Sequence, residues 1–419
     1  DLYLGEAVMA PTIGDNIRRY RHQSTMTQEA LAERAGLSVD TIRKLESNAR
    51  TSARIPTLSA LARALDVPTS ALVGDASTAA ARAEPDHRPV ALMEIRRALT
   101  PARGPGGLLV TSADTSPPPG IADVRTLLHD ADRAYRAADF AAALGALPRL
   151  IHAARAAVAT DAHRSEAYAL LAQAYQLAAY LLIQLRAVDL AYCAVTLGLD
   201  AADHCDDELV GATLARPMCW LLLRQGRLDD AERLATRTAD RIEPRFRRRA
   251  AAATLMTWGR LLLDGAAAAA RDNRPDDAGE MIDAAAAAAA QIGDQVVDDS
   301  RLVGGFVGFN AARVEMLRAE TQAIAGRPDQ VLTLAERIPP TTKPTLARNR
   351  HLLDVAWAHA QLGRYADATA VLTDIRGRAP DWLHHQRYAR DIVSAIAAGR
   401  RRAMSAELAE LASLVGATG

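Results

Sequence analysis

The sequence predicts an all-α protein built from a small five-helix unit, a linker and a long domain of helical repeats. Three observations carry that expectation. Hydrophobic residues make up 49% of the chain but aromatic ones only 4%; much of the remainder is alanine, the best helix former, whereas strands favour β-branched and aromatic side chains. Between Ile13 and Gly74, caps, a turn glycine and apolar stripes alternate at short intervals. Beyond Ile121 one turn-plus-helix phrase returns in different spellings. A chain of 419 residues exceeds one ordinary domain and has apolar content for more than one core.

The divisions fall at residues 1–11 (a tail), 12–75 (the helical head), 76–120 (a linker with one short helix) and 121–419 (the repeat domain). Met9 reads as a natural start, and residues 1–8 are expected to take no part in the fold. The opening DLYLGEAVMAPT lacks the basic and apolar regions of a signal peptide, and no apolar run reaches membrane-span length. The expected location is the cytoplasm, without a membrane partner. Charge is balanced, 50 basic residues against 50 acidic, so any nucleic-acid surface must be local. The three cysteines, Cys193, Cys205 and Cys219, have no CxxC spacing and are expected to be buried thiols.

In the head, Ile13, Ile17 and Tyr20 form one apolar stripe, Leu31 and Ala35 a second, Ile42 and Leu45 a third, and Leu58, Leu61 and Leu65 a fourth, giving four or five short helices. Thr27 and Ser38 are placed to cap the second and third, each hydroxyl taking up a first-turn amide, and neither has the glutamate of a capping box. Gly36 stands where a chain leaving a helix wants a left-handed residue. The third helix, about Ser38 to Asn48, turns Ile42 and Leu45 inward and puts Val39, Asp40, Arg43 and Lys44 outward.

TQEALAERAGLS, SVDTIRKLE and TLSALARALDVPTSALVGD together resemble the phage-repressor-like (XRE, lambda-type) helix-turn-helix proteins from Ile13 to Gly74. The resemblance implies a five-helix DNA-binding domain whose third helix enters the major groove of a palindromic operator. By family position, Val39, Asp40 and Lys44 match residues that meet base edges, and Gln28, Ser38, Thr41 and Arg43 match residues on or near phosphates. Lys44 has the chemistry to read guanine O6 and N7, Asp40 to accept from cytosine N4, and Val39 to pack on a thymine methyl. Asp40 has a second reading, as a carboxylate serving the dipole at the helix start. Arg50 and Arg54, in the following loop, read as phosphate clamps or as solvated loop arginines. Arg21 and Glu46 match a structural pair between the first and third helices. Between Ile13 and Pro56 there are eight basic and five acidic residues; so small a surplus binds DNA weakly as one copy, which favours a homodimer on two half-sites.

ASTAAARAEPDHRP and PARGPGGLLVTSADTSPPPG flank an amphipathic stretch from Val90 to Leu99, and their proline, glycine and small polar residues read as mobile chain. Such a tether lets the head move, or its helix docks on either domain. Beyond it, AADFAAAL, RAVDLAYCA, GRLDDAERLA, RPDDAGEMI, GRPDQVLTLA and GRYADATAVL each place a small packing residue after a turn: Ala142, Ala191, Ala231, Ala278, Val331 and Ala368. The phrases resemble tetratricopeptide repeats, most clearly from Leu352 to Leu372, with anchors 49, 40, 47, 53 and 37 residues apart against about 34 in a regular repeat. The region from Gly308 onward is also similar to the carboxy-terminal half of actinobacterial regulators that join this head to such repeats. That resemblance implies a dimerising superhelix whose groove senses a peptide or small-molecule effector. Asn310, Arg245 and Arg247 are its candidate contacts, each with a plainer reading as solvated surface; Phe306, Phe309, Trp258 and Trp357 read as core.

No P-loop, GxSxG, HExxH or kinase signature occurs, and GGFVGFN lacks the strand of a phosphate loop. His204 with Cys205, and His384 with His385, form no convincing metal-ligand set. The expectation is therefore no enzyme, no metal and no cofactor. The function expected is a sequence-specific DNA-binding transcription regulator; the alternative is a repeat scaffold for a protein partner with weak or accessory DNA binding.

Overall fold

The structure, a computed structural model, describes residues 12–49, 53, 55–73, 89–101, 119–160, 163–244, 250–293, 303, 309–339, 346–399 and 404–417. Every regular element among them is a helix. The head comprises α1 (Ile13–Gln23), α2 (Gln28–Ala35), α3 (Val39–Glu46), α4 (Ile55–Leu65) and α5 (Thr69–Val73). Thr27 accepts from the amide of Ala30 and Ser38 from that of Thr41, as their positions predict. A full capping box stands at α1 instead, between Thr12 and Asp15. Gly36 ends α2 at φ 64°, a left-handed conformation that glycine adopts without a Cβ penalty. The predicted stripes close one small core around Ile17, Leu31, Ile42, Leu45 and Leu61. Gly14 lets α1 lie against the end of α3, since a Cβ there would come 2.1 Å from the Leu45 carbonyl oxygen.

After α6 (Pro89–Leu99) come six helical hairpins: α7 (Ile121–Arg136) with α8 (Phe140–Thr160), α9 (Arg164–Gln184) with α10 (Val188–Ala202), α11 (Glu208–Gln225) with α12 (Leu228–Arg241), α13 (Ala252–Arg271) with α14 (Pro275–Ile292), α15 (Ala311–Ile324) with α16 (Pro328–Ala335), and α17 (Leu346–Gln361) with α18 (Tyr365–Arg378). A short α19 (Pro380–His384) and a final pair, α20 (Arg387–Gly399) and α21 (Ala406–Val415), complete the domain. First helices of successive hairpins pack on one another, making an inner layer.

One turn recurs in all six hairpins. A residue with positive φ ends the first helix: Ala138, Arg186, Gly226, Asn273, Gly326 and Gly363. Five residues later a small side chain is sealed between the paired helices: Ala143, Ala191, Ala231, Ala278, Val331 and Ala368. Five of these are the predicted anchors. In the first hairpin the prediction is one residue short: Ala142 is exposed, and Ala143 takes the packing position.

The last elements return to the first. Gln386 Nε2 donates to Gln184 Oε1 at 3.4 Å, and the rings of Phe140 and His385 lie 6.4 Å apart. The inner helices thus face a common central space.

The linker helix α6 belongs to the helical domain. Ile95, Ala98 and Leu99 are buried against it, and Arg155 donates to the carbonyl oxygens of Ala98 and Leu99 while its Nε reaches the Tyr175 hydroxyl at 2.7 Å. The head is also docked, in contrast to the expectation of a freely moving unit. The Thr69 hydroxyl and the Ser59 hydroxyl donate to the Arg271 carbonyl oxygen at 2.9 and 3.3 Å. The Thr69 amide donates to Asp272 O at 3.2 Å, Asn273 Nδ2 to Val67 O at 3.4 Å, and Arg63 Nη1 to Ile324 O at 2.6 Å. Four of the five end on main-chain oxygens at the ends of first helices of the hairpins, where carbonyl groups left over await donors, and in the fifth a turn side chain donates to the head.

Candidate nucleic-acid interface and concave cavity

The outer face of α3 is held rigidly from behind. Arg21 on α1 grips Glu46 with two parallel bonds, Nε to Oε1 at 2.7 Å and Nη2 to Oε2 at 2.8 Å, and its Nη1 reaches Met26 O at 2.9 Å. Arg18 donates to the Glu46 carbonyl oxygen, and Gln28 Nε2 to Glu46 Oε2 at 2.9 Å. Burial opposes the Glu46 charge, but these donors outweigh it and hold the carboxyl below its ordinary range.

Asp40, Arg43 and Lys44 are exposed and Thr41 is half-buried, whereas Val39, expected to point outward, is half-buried and packs against the head's core. Lys44 Nζ and Asp40 Oδ2 lie 2.7 Å apart, so two of the expected base readers neutralise each other in the absence of DNA. Asp40 also stands in the first turn of α3, where its charge suits the helix dipole. The Ser38 and Thr41 hydroxyls share a bond of 2.9 Å at the same end. Gln28 is engaged with Glu46, and its use on a phosphate would require exchanging or sharing that bond. Arg43 points to solvent. Arg50 and Arg54 lie outside the described residues, as do Arg245, Arg247 and Phe306.

Two concavities mark the helical domain. One, of about 590 Å³, runs between the head and α14–α16 and includes Arg63, Arg271, Arg318, Arg327 and Arg337. The other, of about 240 Å³, is the central space between the inner helices α7, α9, α11, α13, α15 and α17, with Trp382 of α19 beside it. Asn310 caps α15 by accepting from the Arg313 amide at 3.0 Å and is not among the residues lining either. Phe309 and Trp258 are buried core, and Trp357 is half-buried.

Sequence reading missed the central arginines Arg216, Arg260, Arg313 and Arg350, which lie on four different inner helices. A signal exists in LARPMCW and TWGRLLL, where a guanidinium interrupts an apolar helical run. Among the described residues no group of three or more His, Cys, Asp and Glu side chains is placed to hold a metal. His204 instead lies against Tyr168, with ring centroids 4.9 Å apart, and His384 Nδ1 is 2.6 Å from Leu414 O. The described cysteines are unpaired, Cys219 buried and the other two half-buried, and no described helix is long and apolar enough to cross a membrane.

With its capped α2, glycine turn and exposed α3, the head is a helix-turn-helix domain; residues 17–72 match the helix-turn-helix family. A domain of this kind is a DNA-binding unit. Among solved structures the chain is similar to Bacillus thuringiensis PlcR in complex with the peptide PapR7 and DNA, at 12% identity and a TM-score of 0.36, over 86% of this chain and 99% of that one. No curated protein matches the chain.

Proposed function

We propose that this protein is a sequence-specific transcription regulator. It acts as a homodimer whose paired α3 helices read a palindromic operator, while the tetratricopeptide-like helical domain dimerises and receives a peptide or small-molecule effector. The observation that carries the reading is the placement of Asp40, Arg43 and Lys44 on the outward side of the second helix of a helix-turn-helix, with Ile42 and Leu45 locked into the core behind them and Val39 at the edge of that core. That is the geometry that lets a short helix enter a major groove. In this reading Lys44, Asp40 and Val39 meet base edges, while Ser38, Thr41, Arg43, Gln28, Arg50 and Arg54 serve the backbone.

The test is selection of genomic fragments by the purified full-length protein, followed by titration of the enriched site across salt concentrations. A palindrome with a fixed half-site spacing and steep salt dependence is expected. Recovery of random fragments alone, bound with equal affinity, would overturn the reading in favour of a scaffold whose partner is another protein.

A further inference from the structure

The central cavity has an unusual charge balance. Six arginines line it, Arg216, Arg224, Arg260, Arg271, Arg313 and Arg350, against two carboxylates, Asp264 and Glu320. The carboxylates are already committed. Arg216 Nε lies 2.9 Å from Asp264, Arg271 Nη2 donates to Glu320 at 2.5 Å, and Arg350 bridges Asp354 at 2.8 Å and Glu320 at 3.4 Å. Arg260 and Arg313 have no ion-pair partner among the described residues. Their Nε atoms are buried and take no hydrogen bond there, and Arg260 as a whole is 3% exposed. Arg224, on the side of the cavity where α11 is exposed, lies 5.9 Å from the Trp220 ring.

Burial, then the neighbouring charges of Arg216 and Arg313, push Arg260 well below the ordinary arginine range; burial and Arg216 act the same way on Arg313. Cations crowded into a low-dielectric space without matching anions destabilise the protein that contains them. The remaining walls are mostly apolar or aromatic, with Trp220, Leu263, Met316 and Trp382 beside Tyr180, whose ring lies 5.9 Å from the Arg216 guanidinium; Gln184, Gln386 and His351 supply the other polar groups. The volume of about 240 Å³ is roughly eight water molecules' worth of liquid, which suits a compact molecule and not an extended peptide.

We propose that this cavity binds a small organic anion, a carboxylate or phosphate carried on an aromatic or apolar body, with the anionic group between Arg260 and Arg313. The inference deepens the effector half of the regulator reading, on which it rests only for its consequence at DNA; binding itself is independent of DNA.

The test uses the full-length protein without DNA. Phenyl phosphate and phenylacetate are titrated separately, with phenylacetamide as the neutral counterpart, while tryptophan fluorescence and the melting temperature are followed. Saturable binding of at least one anion at up to millimolar concentration is expected, with a raised Tm and a response weakened by added salt. Phosphate and carboxylate ligands are distinguished by which of the two binds more tightly. Arg260→Gln and Arg313→Gln are each expected to weaken binding about tenfold or more, the loss of a hydrogen bond to a charged group. Arg260→Leu, measured without ligand, is expected to melt no lower than the native protein, because it removes a buried guanidinium with no ion-pair partner among the described residues. Equal binding of the amide, undiminished binding in both glutamine variants, or no saturation by either anion would overturn the proposal. So would a large fall in Tm for Arg260→Leu, which would make Arg260 a structural cation. Fragment selection tests DNA recognition separately, so failure of one reading is distinguishable from failure of the other.

Discussion

Replacing Glu46 by alanine should release the helix that faces DNA. The carboxylate is nearly sealed, with its side chain 2% exposed, and it accepts two bonds from Arg21 and one from Gln28. Removing one partner of a buried pair costs about 3–5 kcal/mol, because the other charge stays behind unpaired. Met26 O still accepts from Arg21 Nη1 after the change, which favours the lower end of that range. A helical unit of this size has about 3–9 kcal/mol of stability in total, so the loss would bring the head near its unfolding threshold.

Amide hydrogen exchange of the full-length protein reads this directly. Protection across α1 and α3 should fall by about two to three powers of ten in Glu46→Ala, while α9 to α13 keep theirs. Replacing both partners, Arg21→Met with Glu46→Met, should restore most of the protection, since an apolar pair of similar volume leaves no stranded charge. The pH dependence has a defined sign. The folded Glu46 is held below its ordinary value of 4.5, so the pair's contribution is full above that value and is lost as pH falls through the lower folded one. Exchange in α3 unchanged by Glu46→Ala, or a double variant no better than the single, would refute the reasoning.

The Asp40–Lys44 pair is exposed on both sides, 62% and 59%, so breaking it should change head stability by no more than about 0.5 kcal/mol. Lys44→Ala should therefore act on DNA alone, costing about 1–3 kcal/mol at one base position, whereas Asp40→Ala should strengthen binding to random sequence; equal losses on operator and random DNA for Lys44→Ala would sink its base-reading role. Ser59→Ala with Thr69→Val removes two hydroxyl bonds to the Arg271 carbonyl oxygen and should cost about 1–3 kcal/mol of docking, seen as a larger radius of gyration in solution scattering with the melting of the helical domain unchanged. His351 is pushed down to about 4 by burial and by the charges of Arg348 and Arg313. It stays neutral where the unfolded chain takes up a proton, so the helical domain should lose stability as pH falls from about 6.5 towards 4. A thermal melt series in which His351→Gln shows the same slope would contradict this.

Much of the head is legible because its determinants are local. Each cap and stripe involves residues within one or two turns, and the Gly36 turn needs only a residue that tolerates positive φ. The exception is informative: the complete capping box uses Asp15, not the glutamate or glutamine of the usual pattern, and lies one helix earlier than sought. The repeats are legible as a phrase but not always in register: the turn residue with positive φ is glycine in three hairpins (Gly226, Gly326 and Gly363) and Ala138, Arg186 or Asn273 in the others, so no single residue type marks it. In the first hairpin alanine fills both positions, so the local sequence does not say whether Ala142 or Ala143 faces the partner helix. The central arginines are illegible for a different reason. Arg216, Arg260, Arg313 and Arg350 come from inner helices of successive hairpins, and only the return of Gln386 to Gln184 closes the space that brings them together. Docking of the head is hidden likewise, since Ser59, Arg63 and Thr69 look like ordinary surface residues of a small domain and meet main-chain oxygens, which no side-chain pattern announces.

The docked head limits how a ligand in the helical domain can reach DNA. Contacts to that domain come from α4, α5 and the residues between them, and the outward side of α3 stays open, so an effector has no covered reading helix to expose. Regulation by occlusion is therefore a poor fit to this arrangement, and regulation by placement is a better one: in a dimer, the direction of each head sets the separation of two α3 helices, and half-site spacing tolerates little error. Arg271 stands where such a signal would pass. Its guanidinium pairs with Glu320 and lines the central cavity, while its own carbonyl oxygen accepts from Ser59 and Thr69 of the head. Five docking hydrogen bonds at about 0.5–1.5 kcal/mol each amount to a few kcal/mol, and each tenfold preference of a ligand for one arrangement shifts the balance by about 1.4 kcal/mol. An anion that draws Arg271 away from Glu320 therefore needs a preference of about a hundredfold to compete with the docking contacts at the lower end of that range, and about a hundred-thousandfold at its upper end.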